Sequence, residues 1–311
     1  MPHLSKHLIA SLTFIFLSVG STLIARADNY TFITINVPGS NFTQATDIND
    51  SGQVVGTYQT PPNSVDHGYL LSGGIYTRLD LLHLGLSEAN GINNSGQIVG
   101  MDGNHGFLLS SGSYVQFAVP GSIYTQPIKI NNSGQIVGLY GSASGSQSFL
   151  LSGGDYTTLA VPGSTFTQAN GINSSGQIVG YYIVDGQFHG FALTSDNYTT
   201  LDFPGATFTR VYGINDYGQM VGDYVDADGI RHGFLLSGGN YTTLDFPGSL
   251  ANIASGINNA GQVVGSYAAV GGRTNGFLAT PQAVPEPSTF MLFGSSILAL
   301  IGCAHWFRKS V

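Results

Sequence analysis

The sequence predicts an all-β repeat fold, read as a six-bladed β-propeller with a β-solenoid as the alternative, and three observations carry that reading. A nine-residue phrase, Ile-Asn-x-x-Gly-Gln-[Ile/Val/Met]-Val-Gly, begins at Ile48, Ile92, Ile130, Ile172, Ile214 and Ile257, at intervals of 44, 38, 42, 42 and 43 residues. A near-constant period in this range marks a repeat architecture. Each unit divides into four short strand-like pieces bounded by Gly, Asn, Asp and Pro, the pattern of antiparallel strands. No stretch of the body sustains a 3.6-residue apolar period, so helices are not expected there.

The fourth unit shows the elements in order. Tyr156 to Val161 ends at Pro162-Gly163, and Phe166 to Ile172 ends at Asn173-Ser174-Ser175-Gly176. Gln177 to Ile183 ends at Asp185-Gly186, and Phe188 to Leu193 runs into a polar turn. Asp-Gly and Asn-x-x-Gly accept the positive φ that tight turns require. Four strands in about 42 residues make one propeller blade. The expected repeats are 32–75, 76–113, 114–155, 156–197, 198–240 and 241–280, within a β domain of residues 28–280. Both ends of the array look complete without a cap, which favours a ring over a solenoid.

Composition narrows the classes. The chain has 311 residues, 44 of them Gly, with 42% hydrophobic and only 8% charged residues. Its 18 Phe and 16 Tyr are more than a disordered chain carries. Four of the nine bases, Lys6, Arg26, Arg308 and Lys309, lie in the terminal segments. The body is left with five bases against nearly all of the 17 acids, a poor surface for nucleic acid. One cysteine, Cys303, excludes an internal disulfide and any multi-cysteine metal site.

The two ends read as addresses. Residues 1–27 form a signal peptide: Lys6 is the basic start, Leu8 to Val19 the apolar core, and Ala25-Arg26-Ala27 the small-x-small cleavage site. At the other end, a Pro-rich neck at 281–289 contains Val284-Pro285-Glu286-Pro287. An uncharged span at 290–307 follows, long enough to cross a bilayer as a helix. A basic end at 308–311 places Arg308 and Lys309 on the cytoplasmic side as a membrane stop. This tail resembles the PEP-CTERM sorting signal of Gram-negative bacteria. The resemblance implies recognition by an exosortase through Pro285, Glu286 and Pro287, in cells that make extracellular polysaccharide. The repeated phrases, with His-Gly-Phe-Leu-Leu, also resemble HAF-type repeats of bacterial extracellular proteins, a likeness that brings no defined activity.

Candidate chemistry is sparse. His67, His105, His189 and His232 precede Gly-Phe or Gly-Tyr, but Gln147 and Asn275 replace them in two units, so a hydrogen-bonding role is expected rather than a metal. The Asn and Gln of the phrase recur in all six copies and read as scaffold. Asp223, Asp226 and Asp228-Gly229 lack the closing Glu of a calcium loop and read as a turn. Ser142 to Gly145 is followed by no helix, against a nucleophile elbow. Glu88 and Glu286 are the two glutamates, which leaves paired-carboxylate chemistry to aspartates. No catalytic residue, metal or cofactor is expected. The sequence reads as an exported noncatalytic surface or matrix protein that binds or organises extracellular polysaccharide. A structural or adhesive protein with protein partners is the alternative, and a polysaccharide-modifying enzyme, tested at Asp66 or Asp223, stands third.

Overall fold

A computed structural model describes the backbone of residues 24–27, and residues 29–62, 65–79 and 87–282 with their side chains. The sorting residues Val284, Pro285, Glu286 and Pro287, the span 290–307, and Arg308 and Lys309 lie outside the described residues, as does most of the signal segment. The described chain is all β, in antiparallel meanders set around a closed ring.

Each phrase is the turn between the first two strands of a meander. In every copy the Asn side-chain oxygen accepts the N–H groups two and four residues on, as Asn131 does from Ser133 and Gln135. The Gly that follows sits at φ between +73° and +81° in all six turns, where a Cβ is strained. The closing Gly of the phrase has a different task. Gly56, Gly100, Gly138, Gly180, Gly222 and Gly265 pair across the sheet with Tyr69, Phe107, Phe149, Phe191, Phe234 and Phe277. All six rings are 0% exposed, and a Cβ on Gly180 would lie 2.9 Å from the Phe191 ring. Burying each ring contributes roughly 1.5–3 kcal/mol, so the glycine stripe makes room for the centre of the core. The core lies between adjacent sheets: Val137 of one packs with Ile172, Ile178 and Phe191 of the next.

Sheets follow one another through Pro-Gly turns. Pro38-Gly39, Pro120-Gly121, Pro162-Gly163, Pro204-Gly205 and Pro247-Gly248 each carry the hydrogen bond that closes a four-residue turn, with the Gly at φ between +77° and +81°. This is type II geometry, for which Pro and Gly at the two central positions are suited.

Two features correct the sequence reading. First, sheets are offset from the repeats by one strand. Asp155–Leu159, which spans the expected start of the fourth repeat at Tyr156, is the outer strand of the preceding sheet. Second, the expected six equal blades are corrected to four discrete four-stranded blades and one nine-stranded sheet. The strands of the first and sixth repeats merge through one parallel bridge, Thr274 with Phe42. Tyr30–Ile35 supplies the strand that Thr274–Pro281 would otherwise lack, pairing with it from Tyr30↔Pro281 to Ile35↔Gly276. Ile24–Ala27 adds beyond it, so Ala25 and Ala27 face Phe32 and Tyr30 in register. The offset accounts for that pairing: Tyr30–Ile35 opens the array one strand ahead of its own sheet, and it completes the last one.

Candidate functional site

Six strands line the central axis: Phe42–Ile48, Ser87–Ile92, Tyr124–Ile130, Phe166–Ile172, Phe208–Ile214 and Ala251–Ile257. At the far end of these strands the phrase asparagines form a belt. Each amide nitrogen donates to the carbonyl of the next asparagine, from Asn49 through Asn93, Asn131, Asn173, Asn215 and Asn258 back to Asn49, at 2.9–3.3 Å. The last bond joins residues 209 apart in sequence and closes the ring.

Every axial strand has a register shift at the same place, two residues before the phrase. Such a bulge re-aims side chains. It leaves Asp47, Gly91, Lys129, Gly171, Gly213 and Gly256 in one layer around the axis. The strands crowd there: a Cβ on Gly91 would lie 2.9 Å from the Lys129 Cα, and one on Gly256 would lie 2.9 Å from the Asp47 Cα. Lys129 crosses the remaining space. Its Nζ lies 2.7 Å from Asp47 Oδ1 and donates to the Thr46 carbonyl at 2.6 Å, while Asp47 Oδ2 accepts the Ile92 N–H at 2.9 Å. Burial pulls the Lys129 amine below its usual range, and the Asp47 carboxylate opposes that shift. The pair divides the axis into a cavity of about 70 Å³ on the asparagine side and one of about 200 Å³ on the other, with Lys129 lining both.

The larger cavity is the mouth. Gln44, Gln126, Gln168, Asn90, Asn170, Thr46, Ser255 and Tyr212 line it, with Ile128 and Ile253. Where four axial strands carry Gln44, Gln126, Gln168 and Ile253, the other two carry Glu88 and Arg210 at the equivalent position, on opposite sides of the ring. Much of this lining is already hydrogen-bonded. Asn90 and Asn170 donate to the carbonyls of Pro127 and Val211 on the next strand. Gln126 donates to Glu88 at 3.0 Å, and Gln168 donates to Asn170 and accepts from Tyr181. Arg210 binds the buried Asp223 carboxylate through two nitrogens at 3.1 and 2.9 Å, with Arg231 Nε on the same carboxylate at 3.2 Å. The Gln44 amide and the Tyr212 and Ser255 hydroxyls make no hydrogen bond among the described residues. Burial first, and then Asp223, push the Tyr212 hydroxyl well above its usual range, so it remains a donor.

The residues singled out in the sequence lie elsewhere. The histidines stand on the third strand of their sheets, each facing a second-strand residue: His67 opposite Tyr58, His189 opposite Tyr182, His232 opposite Tyr224. They do not converge on the axis, and no three His, Cys, Asp or Glu side chains among the described residues are placed to hold a metal ion. Asp226 caps its own turn by accepting from the Asp228 and Ile230 N–H groups. Ser142 caps a hairpin by donating to the Gly145 carbonyl. The mouth carries no repeated signature. Its signal was the reverse: the axial strands are where the six copies differ, and each of four strands holds one charge, Asp47, Glu88, Lys129 or Arg210, in a chain only 8% charged.

The fold and this cavity define a β-propeller with a polar axial mouth, built from an internal repeat. A family model described as the PEP-CTERM protein-sorting motif matches residues 283–309. The chain thus carries a PEP-CTERM sorting motif, which implies exosortase processing and an exported protein of the bacterial cell envelope or surface. No helix among the described residues is long and apolar enough to cross a membrane. No curated protein matches the chain. Among solved structures, TolB from Acinetobacter baumannii is similar at 11% identity and a TM-score of 0.52, over 74% of this chain and 63% of that one. A streptogramin B lyase is similar at 12% identity and 0.49, over 82% of this chain and 98% of that one. The fucose-specific lectin from Aleuria aurantia is similar at 14% identity and 0.49, over 82% of this chain and 99% of that one. Identities this low speak to the fold alone.

Proposed function

We propose that this is a noncatalytic surface or matrix protein that binds extracellular polysaccharide at the axial mouth. In this reading an N-terminal signal peptide cleaved after Ala27 exports it from a Gram-negative cell, and the tail delivers it to the exosortase. The observation that carries the proposal is the mouth itself: amides and hydroxyls gathered around a cavity of about 200 Å³, with Tyr212 and Ile253 as less polar surface beside them. Sugars present hydroxyls around an apolar ring face, and such lining answers both, with aromatic side chains giving a flat contact. The charges at the axis are already engaged: Lys129 with Asp47, Arg210 with Asp223, and Glu88 with Gln126. This arrangement suits recognition better than proton transfer, which asks for a carboxyl group exposed to the substrate.

The test is co-sedimentation of residues 28–282, the described body that this cleavage leaves, with extracellular polysaccharide from the producing cells, with and without calcium. Saturable retention is expected, independent of calcium. No retention in either condition overturns the proposal and moves the weight to protein partners, to be sought by surface pull-down.

A further inference from the structure

The geometry points to a site for one chain end: the mouth seats a single terminal sugar residue, once per protein molecule, in the sector formed by Tyr212, Ser255, Ile253 and Gln44. The inference rests on the polysaccharide reading and adds where, how many and which part of the polymer.

Three observations carry it. The mouth is blind. At its floor Lys129 spans the axis to Asp47, and beside them Gly91, Gly171, Gly213 and Gly256 bring neighbouring strands to backbone contact. A polymer therefore cannot thread through; only an end enters. The cavity is also small. At about 200 Å³ it falls below the ~300–1,000 Å³ of pockets that enclose drug-sized ligands, and it suits one ring rather than several.

The third observation is that the lining polar side chains that make no hydrogen bond at all among the described residues are grouped in one sector. Around the mouth, Asn90, Gln126, Gln168 and Asn170 are bonded to neighbours. The Tyr212 hydroxyl, the Ser255 hydroxyl and the Gln44 amide are not bonded among the described residues, and they stand on three successive axial strands, with Ile253 on the middle one. Their polar atoms open onto the cavity rather than being sealed in the core, since Asp102 Oδ1 is the one buried side-chain polar atom without a partner among the described residues. The repeat shows that the fold does not demand these side chains, since other copies put Asn, Gln or Ile in the same places. Together they offer an apolar surface for a ring face, two hydroxyls and one amide for the hydroxyls at its edge. The axis provides one site, because the six axial strands surround only one centre.

The experiment fragments the polymer. Extracellular polysaccharide from the producing cells is partly hydrolysed to graded lengths, and the amount of protein bound per unit mass of sugar is measured at saturation. Recognition of ends predicts that capacity rises in proportion to the number of chain ends, with one site per protein in calorimetry. Tyr212→Phe, which keeps the ring and removes the hydroxyl, should weaken binding about tenfold, the worth of one hydrogen bond to a group with no other partner, at an unchanged unfolding midpoint. Capacity that is flat or falls on fragmentation, or Tyr212→Phe binding like wild type, overturns the end site while leaving polysaccharide binding intact. Absence of binding to intact and fragmented polymer alike removes both readings.

Discussion

Asn131→Ala should remove about 4 kcal/mol of stability, while Asn132→Ala, one residue along, should remove less than about 1 kcal/mol. Asn131 is 4% exposed and makes four side-chain hydrogen bonds. It donates to Gln135 Oε1 at 2.8 Å and to the Asn173 carbonyl at 2.9 Å, and it accepts from the Ser133 and Gln135 N–H groups at 3.0 and 2.9 Å. Each bond contributes about 1 kcal/mol net, and the four together give the loss; the Asn173 carbonyl keeps the Gly176 N–H at 3.0 Å. The exposed Asn132 accepts from the Asn94 N–H and donates to Ser174 Oγ at the surface, where water replaces both partners. A loss of this size is a large part of the ~5–15 kcal/mol that holds a domain folded. Urea unfolding of residues 28–282 reads the difference as a shift of midpoint at constant slope. Equal losses at the two positions, or a loss below about 1.5 kcal/mol at Asn131, would refute the asparagine belt as the element that joins the sheets.

Other outcomes follow from the same structure. Lys129→Met strands the Asp47 carboxylate at the axis and should cost about 3–5 kcal/mol; adding Asp47→Val should return most of it, as replacing a whole buried pair does, and thermal melts of the single and double variants check this. Gly176→Val forces a β-branched residue to φ +81° and should cost about 1–3 kcal/mol, seen in the same urea assay; an unchanged midpoint would mean the turn tolerates a side chain. His232 sits between Asp245 and Asp226, at 2.6 and 3.2 Å. Burial works against its charge, but the two carboxylates outweigh burial and raise its pKa above 6.5. A raised histidine gives stability that is present below about pH 6.5 and lost as pH climbs through the folded value. Asp226, depressed chiefly by the Ile230 N–H, gives stability present above its unfolded value and lost on acidification. Urea midpoints from pH 3 to 9 should therefore fall at both ends, and His232→Asn should flatten the alkaline limb.

Much of the local structure was legible in the sequence. Asn-x-x-Gly and Pro-Gly encode their turns directly, because positive φ and side-chain capping are properties of a few adjacent residues. The all-β class and the repeat followed from period and turn chemistry. The partition into sheets was not legible, since it depends on which strand pairs across a turn and which packs onto a neighbour. Tyr156 to Val161 reads equally well as the start of one unit or the end of another. The role of Tyr30–Ile35 in completing the last sheet shares this cause, and so does the pairing of Pro281 and Gln282 with Tyr30 and Asn29, past the boundary at 280. The axial bulges leave no composition mark at all. They are visible only as a layer of Gly, Asp and Lys once the six copies are superposed in register.

The most direct test of the central claim is to fill the mouth. Gln44→Trp places an indole in the cavity of about 200 Å³ above the Lys129–Asp47 floor and leaves every residue of the asparagine belt and the glycine stripe in place. Co-sedimentation with extracellular polysaccharide from the producing cells should then drop to background, while the melting temperature stays within a few degrees of wild type. Retention equal to wild type would place the polysaccharide elsewhere on the protein and contradict the axial site.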